Sequence, residues 1–438
     1  VKFSEHIGKG AWGFGSKLMP AIYGIVTVLI IKSLVKEEYG ELVLFQTIFG
    51  MIFTFSDNFA LQAIVKFGVE PDNDLHELIS ASAFLFFGFL FFSLGLVALI
   101  PDKIGALLNS TALPSLVPYL VILVIVTIPR VLISKVFQMR FHTKSLFVVD
   151  ALNFGGASVA ILVMSFMGKL SSAIDVVHIT IVMGAVSSLV AMIIARDVKL
   201  WKMRYSKSML TKIFAFTRYQ TATGTVHVFQ QNLDNLIVPA FLGLEALANY
   251  NAAKMFFRGF DVLRETQGMF VFPATSKYHA RKEFDTLKKI IEKATSFSYL
   301  AMVPVSLLLV LIAPNIFHLL YGNKYDESIT IFRVLLISSA FVPMVMVGMS
   351  SLVGMGKVKQ VFRIITSSLI LNAVVALILV PSLGTIGAAL SFSAAMLLQS
   401  IFVYRSIKSE VAIEMAQMFF RGIADAKNFL ADRKLKKD

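Results

Sequence analysis

The chain has 438 residues, 57% hydrophobic, 12% aromatic and only 16% charged, with a mean hydropathy of +0.76. A soluble domain carries closer to ~25% charged residues, so the composition argues against a water-soluble globular protein. No cysteine is present, which excludes disulfides and thiolate metal sites, and the net charge of +14 does not require nucleic acid, because most basic residues fall at the rim of apolar segments where anionic lipid attracts them.

A membrane helix needs roughly 20 mostly apolar residues. On that length the apolar runs and their flanks predict about twelve spans, at 11–31, 42–66, 78–100, 114–136, 145–167, 174–195, 213–240, 247–273, 294–313, 328–350, 360–380 and 385–404. The short alternating segments of a β-barrel are not seen, so the fold class is an all-α polytopic membrane protein. No cleavable signal peptide stands out: Lys2, Glu5, His6 and Lys9 lead directly into a long span.

In the first span Lys17 precedes Pro20, and proline bends a helix and frees a carbonyl. Lys17 either faces a cavity or marks the inner interface. Asp57 and Asn58, in the second span, read as the one acidic site well inside the first six spans. They serve either a coupling ion or a helix-end cap with Ser56. Arg130, after Pro129, is expected to anchor an inner helix end. The basic segment 196–212, including Trp201, links two halves. In the seventh span Arg218 and Gln220 lie near the inner end, and His227 reads as a hydrogen-bonded core histidine. Asp234, after Gln230, Gln231 and Asn232, either receives a coupling proton or cation or pairs with a base of the eighth span.

The eighth span carries Lys254, Arg258, Asp261 and Glu265. Their spacing of four, three and four places them on one face of an α-helix. A charge at the bilayer centre costs roughly 3 kcal/mol even on the lenient insertion scale, so this face is expected to look into protein or a water-filled cavity. The basic pair suits a phosphate, a pyrophosphate or an acidic sugar. The competing reading is a salt-bridge ladder with Asp261 and Glu265. Arg264 lies off the stripe, and Arg333 sits at an outer helix end; both read as interface residues. Residues 405–438 read as a basic amphipathic tail on the inner membrane surface.

Most Lys and Arg fall in loops on the side of the N-terminus; the opposite loops carry only Lys32, Lys36, Lys103, Lys169 and Lys324. This bias predicts an even number of spans with both termini cytoplasmic. Tyr39 and Tyr250, Pro101 and Pro314, Pro129 and Pro343, and Gly168 and Gly384 recur at a slowly drifting offset. That pattern is expected from two parallel copies of a six-helix unit, with lobes at 1–200 and 201–404. No phosphate-binding glycine loop and no His-x-x-x-His pair is present, so neither enzyme activity nor a cofactor is expected.

Several motifs lie along the chain: Asp234-Asn-Leu-Ile-Val-Pro-Ala-Phe-Leu-Gly243 with Asn249-Tyr250, Phe272-Pro-Ala-Thr-Ser276, and Leu320-Tyr-Gly322 with Tyr325. Gly354-Met-Gly-Lys357, Asn372, Val380-Pro-Ser-Leu-Gly384, Gly387-Ala-Ala389 and Tyr39-Gly40 complete the set. Together they resemble the polysaccharide-export branch of the multidrug/oligosaccharidyl-lipid/polysaccharide flippase superfamily. The resemblance covers nearly the whole chain and implies two six-helix lobes forming a V around a central cavity, with alternating access. It implies a flippase for a lipid-linked oligosaccharide of the undecaprenyl-pyrophosphate type, in a bacterial inner membrane, for surface polysaccharide such as O-antigen. Lys254 and Arg258, with Arg218 and Lys17, would hold the anionic headgroup; Asp261, Glu265, Asp234 and Asp57 would couple or pair. A polysaccharide polymerase and glycosyltransferases are the expected protein partners. The alternatives are a cation-coupled multidrug efflux pump, a flippase for a lipid-linked peptidoglycan precursor, and a non-transporting scaffold for glycan assembly.

Overall fold

A computed structural model describes residues 3–30, 32–70, 74–198, 204–414, 416 and 418. Among these residues every regular element is helical. The basic tail expected over 405–438 lies mostly outside them; what is described of it is the end of the last helix and a turn through Glu414. The chain divides into two compact units, 1–248 and 249–438.

The first unit holds α1 (Phe3–Ile30), α2 (Lys36–Ser56), α3 (Gln62–Phe67), α4 (Leu75–Leu99) and α5 (Pro101–Leu107). It continues with α6 (Leu113–Met139), α7 (Thr143–Asp150), α8 (Gly156–Phe166), α9 (Ala173–Ile194) and α10 (Lys207–Leu242). Helix α11 (Leu244–Phe257) crosses the division. The second unit completes with α12 (Gly259–Ala280), α13 (Phe284–Tyr321), α14 (Asp326–Ile337), α15 (Val342–Gly354), α16 (Val358–Leu383) and α17 (Thr385–Val411).

Among the described residues nine helical segments are long and apolar enough to cross a membrane. The expected seventh and eighth spans are not among the nine. Their helices are rich in polar groups, from Arg218 to Asn235 on α10 and from Lys254 to Glu265 on α11 and α12, which lowers their hydropathy. The segment Phe284–Ala340 counts once although two spans were expected to fall largely within it.

Local signals explain where helices start. Asp74 accepts from the backbone N–H of His76 (2.7 Å) and Glu77 (3.3 Å), an N-cap for α4. Asp175, in the first turn of α9, takes the N–H of Ser171 and Ser172, while Glu38 takes that of Ala173 and so ties α9 to α2. Two π-helical stretches interrupt the first unit, Asp57–Leu61 after α2 and Ala151–Gly155 between α7 and α8. Such bulges are often found at functional sites. Helix α10, expected to open the second lobe, packs along α2, α4 and the first of these stretches. Gly224 makes that approach possible, since any side chain there would overlap Asn58.

Two of the paired positions share local geometry. Tyr39 and Tyr250 are both fully buried, and Gly168 and Gly384 both take left-handed backbone angles. The prolines do not match in this way. Pro101 opens α5 while Pro314 lies inside α13; Pro129 lies inside α6 while Pro343 opens α15.

Two of the resemblance motifs meet in the second unit. Gly354 at the end of α15 packs on α12, where an added Cβ would overlap the Thr275 hydroxyl and crowd the Phe272 carbonyl. Because backbone cannot yield as a flexible side chain can, Gly354→Val is expected to cost about 1–3 kcal/mol. A thermal melt of the detergent-solubilised protein checks this, with Gly88→Ala as control, a position where an added Cβ meets nothing.

Candidate functional site

Helix α6 supplies two basic residues, and each meets one of the π-helical regions. Lys135 places its Nζ 2.7 and 2.9 Å from the two carboxylate oxygens of Asp57. Gln62 donates to the same carboxylate at 2.7 Å. The backbone continues helically through Asp57, so the helix-end cap is overturned: the hydroxyl of Ser56 bonds back to the Ile52 carbonyl. Asp57 thus lies in an ion pair, both partners being four-fifths or more buried.

One turn and a half earlier on α6, Arg130 pairs with Asp150 at the end of α7, with an N···O distance of 3.3 Å. Ser16 of α1 donates to the other oxygen of Asp150. Lys17 is exposed, within electrostatic reach of the same carboxylate. Arg130 therefore does not reach out to the interface as expected; its guanidinium is largely buried and stands 5.3 Å from the Phe154 ring centre. Asp150 was missed on sequence, where Asp57 read as the one acidic site well inside this half. The available signal was its place within the predicted span 145–167.

A cavity of about 210 Å³ lies beside this pair, inside the first unit. Tyr23, Gln46, Arg130, Asn153 and Thr180 contribute its polar surface, and Phe45, Phe49 and Phe154 its aromatic wall. Gln46 donates to the Tyr23 hydroxyl (3.1 Å), which lies 3.3 Å from the Thr180 hydroxyl.

The other predicted residues are distributed as follows. Asp234 is buried, and its carboxylate accepts from the Asn235 N–H; the Asn235 side chain bonds Thr47 and pins α10 to α2. His227 is exposed and bonds Gln231 one turn on, so it is not a core histidine. Arg218 is exposed on α10. Arg333 is exposed and donates to the Val310 carbonyl.

The charged stripe of the second unit does not lie on one uninterrupted helix. Regular helix stops at Phe257, Arg258 occupies a turn, and α12 starts at Gly259. The Arg258 N–H still bonds the Lys254 carbonyl at 3.0 Å. Lys254 is only 8% exposed, with its ammonium 5.9 Å from the Tyr250 ring centre, whereas Arg258 is exposed and touches the Met255 sulfur. The side chains of Asp261 and Glu265 lie outside the described set. Among the described residues no group of His, Asp or Glu has the arrangement of a metal site.

Outside the spans, the backbone N–H of His76, with Glu77 and Arg204 (2.7 Å) adding to it, holds Asp74 below the usual carboxylate range. A depressed carboxylate stabilises the fold above its ordinary pKa of 3.8 and loses that contribution as pH falls through the lowered value. Asp197, 2.6 Å from Arg140, behaves in the same way.

This helical architecture has close counterparts among solved structures. The lipid II flippase MurJ, in an inward closed conformation, matches with a TM-score of 0.74 and 14% identity over 94% of this chain and 90% of that one. An inward-facing multidrug resistance MATE family transporter of the MOP superfamily matches with a TM-score of 0.76 and 13% identity, over 91% of this chain and 98% of that one. The protein is thus an all-α, multi-pass membrane protein with the fold of that superfamily. A family described as polysaccharide biosynthesis protein matches residues 30–330, well over half of the chain, and the chain belongs to it. A putative O-antigen transporter of Shigella flexneri is 23% identical over 211 residues, 48% of this chain and 50% of that protein. An uncharacterized membrane protein of Methanocaldococcus jannaschii is 22% identical over 191 residues, 43% of this chain and 38% of that one. The matched stretches span half or less of these curated relatives' length. The resemblance drawn from the motifs is borne out for the polysaccharide family, and the fold it implied is that of the solved flippase and transporter.

Proposed function

We propose that the protein is a flippase that carries a lipid-linked oligosaccharide across a bacterial inner membrane by alternating access, without covalent chemistry. The observation that carries this reading is a lysine, Lys254, buried within a helix of a membrane protein of the polysaccharide family. An intramembrane ionisable residue is expensive and is retained mainly for a substrate or ion path. Lys254 and Arg258 are assigned to the phosphate groups of the lipid carrier, with Arg218 and Lys17 as further basic contacts. Asp57, Asp234, Asp261 and Glu265 are assigned to pairing or coupling. The polymerase and glycosyltransferases of the same glycan are the proposed protein partners.

The test is complementation. A strain lacking its own oligosaccharide flippase, supplied with this chain and a matching glycan, should recover surface polysaccharide. Persistent accumulation of the lipid-linked intermediate, with the protein present in the membrane, would count against the reading. The fold likeness to the multidrug transporter favours one competing function, cation-coupled efflux. That function predicts drug resistance in the same strain without glycan export.

Both termini are placed in the cytoplasm on the loop charges. Reporter fusions after Asp438 and beside Lys324 should report opposite sides; the same side for both would break the even-span topology.

A further inference from the structure

We infer that the second unit carries a binding site for an anionic phospholipid, held through its phosphate at the open end of the hairpin that α16 and α17 form. The inference needs only a membrane protein of this fold and does not depend on the flippase reading.

The sequence supplies an unbalanced set of charges. Helix α16 carries Lys359 and Arg363, and helix α17 carries Arg405 and Lys408. The one carboxylate on the two helices is Glu410, and Lys357 takes it at 2.6 Å. Lys359, Arg363, Arg405 and Lys408 are all exposed, and among the described residues none of them meets a carboxylate.

Packing brings the four together. Helices α16 and α17 run antiparallel from the left-handed turn at Gly384 and pack along each other. Two contacts fix their register: the Ser368 hydroxyl donates to the Ala395 carbonyl at 3.0 Å, and Lys357 meets Glu410. All four basic residues fall between these contacts, in the first two turns of α16 and the last two of α17. A separation of four on α16 and of three on α17 keeps each pair on one helix face.

Both faces continue in apolar side chains. Ile370 and Val374 lie seven and eleven residues after Arg363, and Ile401 and Leu397 lie seven and eleven residues before Lys408. Those spacings return to the same face, and all four apolar side chains are exposed. At 1.5 Å per residue, eleven residues cover about 17 Å, close to the ~15 Å of hydrocarbon in one leaflet. An exposed apolar stripe of that length ending in cations outlines one lipid, with acyl chains along the stripe and the headgroup at the charges.

Headgroup chemistry selects the lipid class. Lipid tails are as apolar as the stripe, so the stripe sets depth and the charges set selectivity. Arg363 and Arg405 offer forked donors to phosphate oxygens, while Lys359 and Lys408 add point charges. A zwitterionic lipid brings a cation of its own, and neither helix has a carboxylate left to receive it. An anionic phospholipid brings the phosphate without that cation.

The experiment is native mass spectrometry of the full-length protein in detergent, titrated with phosphatidylglycerol, phosphatidylcholine and inorganic phosphate. Phosphatidylglycerol should bind saturably, and phosphatidylcholine about tenfold or more weakly. Each cation beside anionic headgroups contributes about fivefold, so Arg363→Gln/Arg405→Gln should weaken phosphatidylglycerol about twentyfold. Lys359→Gln/Lys408→Gln should weaken it similarly, and keeps the test decisive if the arginine variant melts below wild type. Lys277→Gln/Lys289→Gln removes the same charge from exposed positions elsewhere in the second unit and should change binding little. Equal weakening by that control would mean diffuse surface attraction and overturns the site. So does equal binding of phosphatidylcholine, displacement of phosphatidylglycerol by inorganic phosphate at matched concentration, or binding unchanged in both variants of the cluster.

Discussion

Replacing Lys254 and Arg258 together with Gln is expected to leave insertion intact and to abolish most glycan export. Glutamine keeps much of the size and some hydrogen bonding, and the apolar faces of α11 are untouched. What is lost is charge. Each charge-assisted hydrogen bond to a phosphate contributes about 1.5–3 kcal/mol, so removal of both should lower export by tenfold at least. The two residues are not equivalent. Lys254 is buried and Arg258 exposed, so most of the loss should already appear in Lys254→Gln alone. Arg264→Gln, off the stripe, should matter less. Asp261→Asn separates the two readings of the stripe. It should be milder than the basic pair if the bases hold substrate, and as severe if they serve a salt-bridge ladder. Surface polysaccharide normalised to membrane protein level is the readout. Full export by a normally expressed double variant would remove the role assigned here to the basic pair.

Breaking the pair between Arg130 and Asp150 should produce the largest loss of stability in the first unit. Their side chains are only 13% and 14% exposed, so either charge left alone is poorly solvated. Removing one partner of a buried ion pair typically costs about 3–5 kcal/mol, whereas replacing both by apolar groups of similar size is often neutral. Arg130→Met and Asp150→Asn should each melt well below wild type, while Arg130→Met/Asp150→Leu should recover much of the difference. Asn at 150 can still accept from Ser16, so Asp150→Asn should be the milder single change. Single variants that melt as wild type does, or a double variant as unstable as the sum of the two, would show that the pair is not coupled. The Asp57 and Lys135 pair provides an internal comparison on the same helix.

What was legible in the chain follows from the solvent it folds in. Within a bilayer every backbone group must be satisfied inside its own segment, so apolar length alone reveals helices, and the class of protein is written in hydropathy. The pairs Gly168 and Gly384, and Tyr39 and Tyr250, were readable only as recurring positions; their positive φ and their burial came from the structure. The glycine and proline motifs of the family carried the resemblance because a turn or a close contact demands those residue types locally, as Gly354 against Thr275 shows.

The sequence by itself therefore determined the helical class, most of the spans and the family, all of which depend on local chemistry and length. It also exposed the intramembrane charges as costly, which is why Lys254 and Asp57 stood out. Only the tertiary structure decided what those charges meet. Ser16, Arg130 and Asp150 come together from α1, α6 and α7, and Lys135 reaches Asp57 from another helix. Periodicity within one helix shows which face a residue shares, but not which other helix that face meets. The break at Arg258 was hidden for a related reason. A four, three, four spacing fits an unbroken helix, and no proline at the junction signals the turn that separates a buried Lys254 from an exposed Arg258. Partner choice in a membrane bundle is set by packing between segments far apart in the chain, where a polar group must find its complement because lipid offers none.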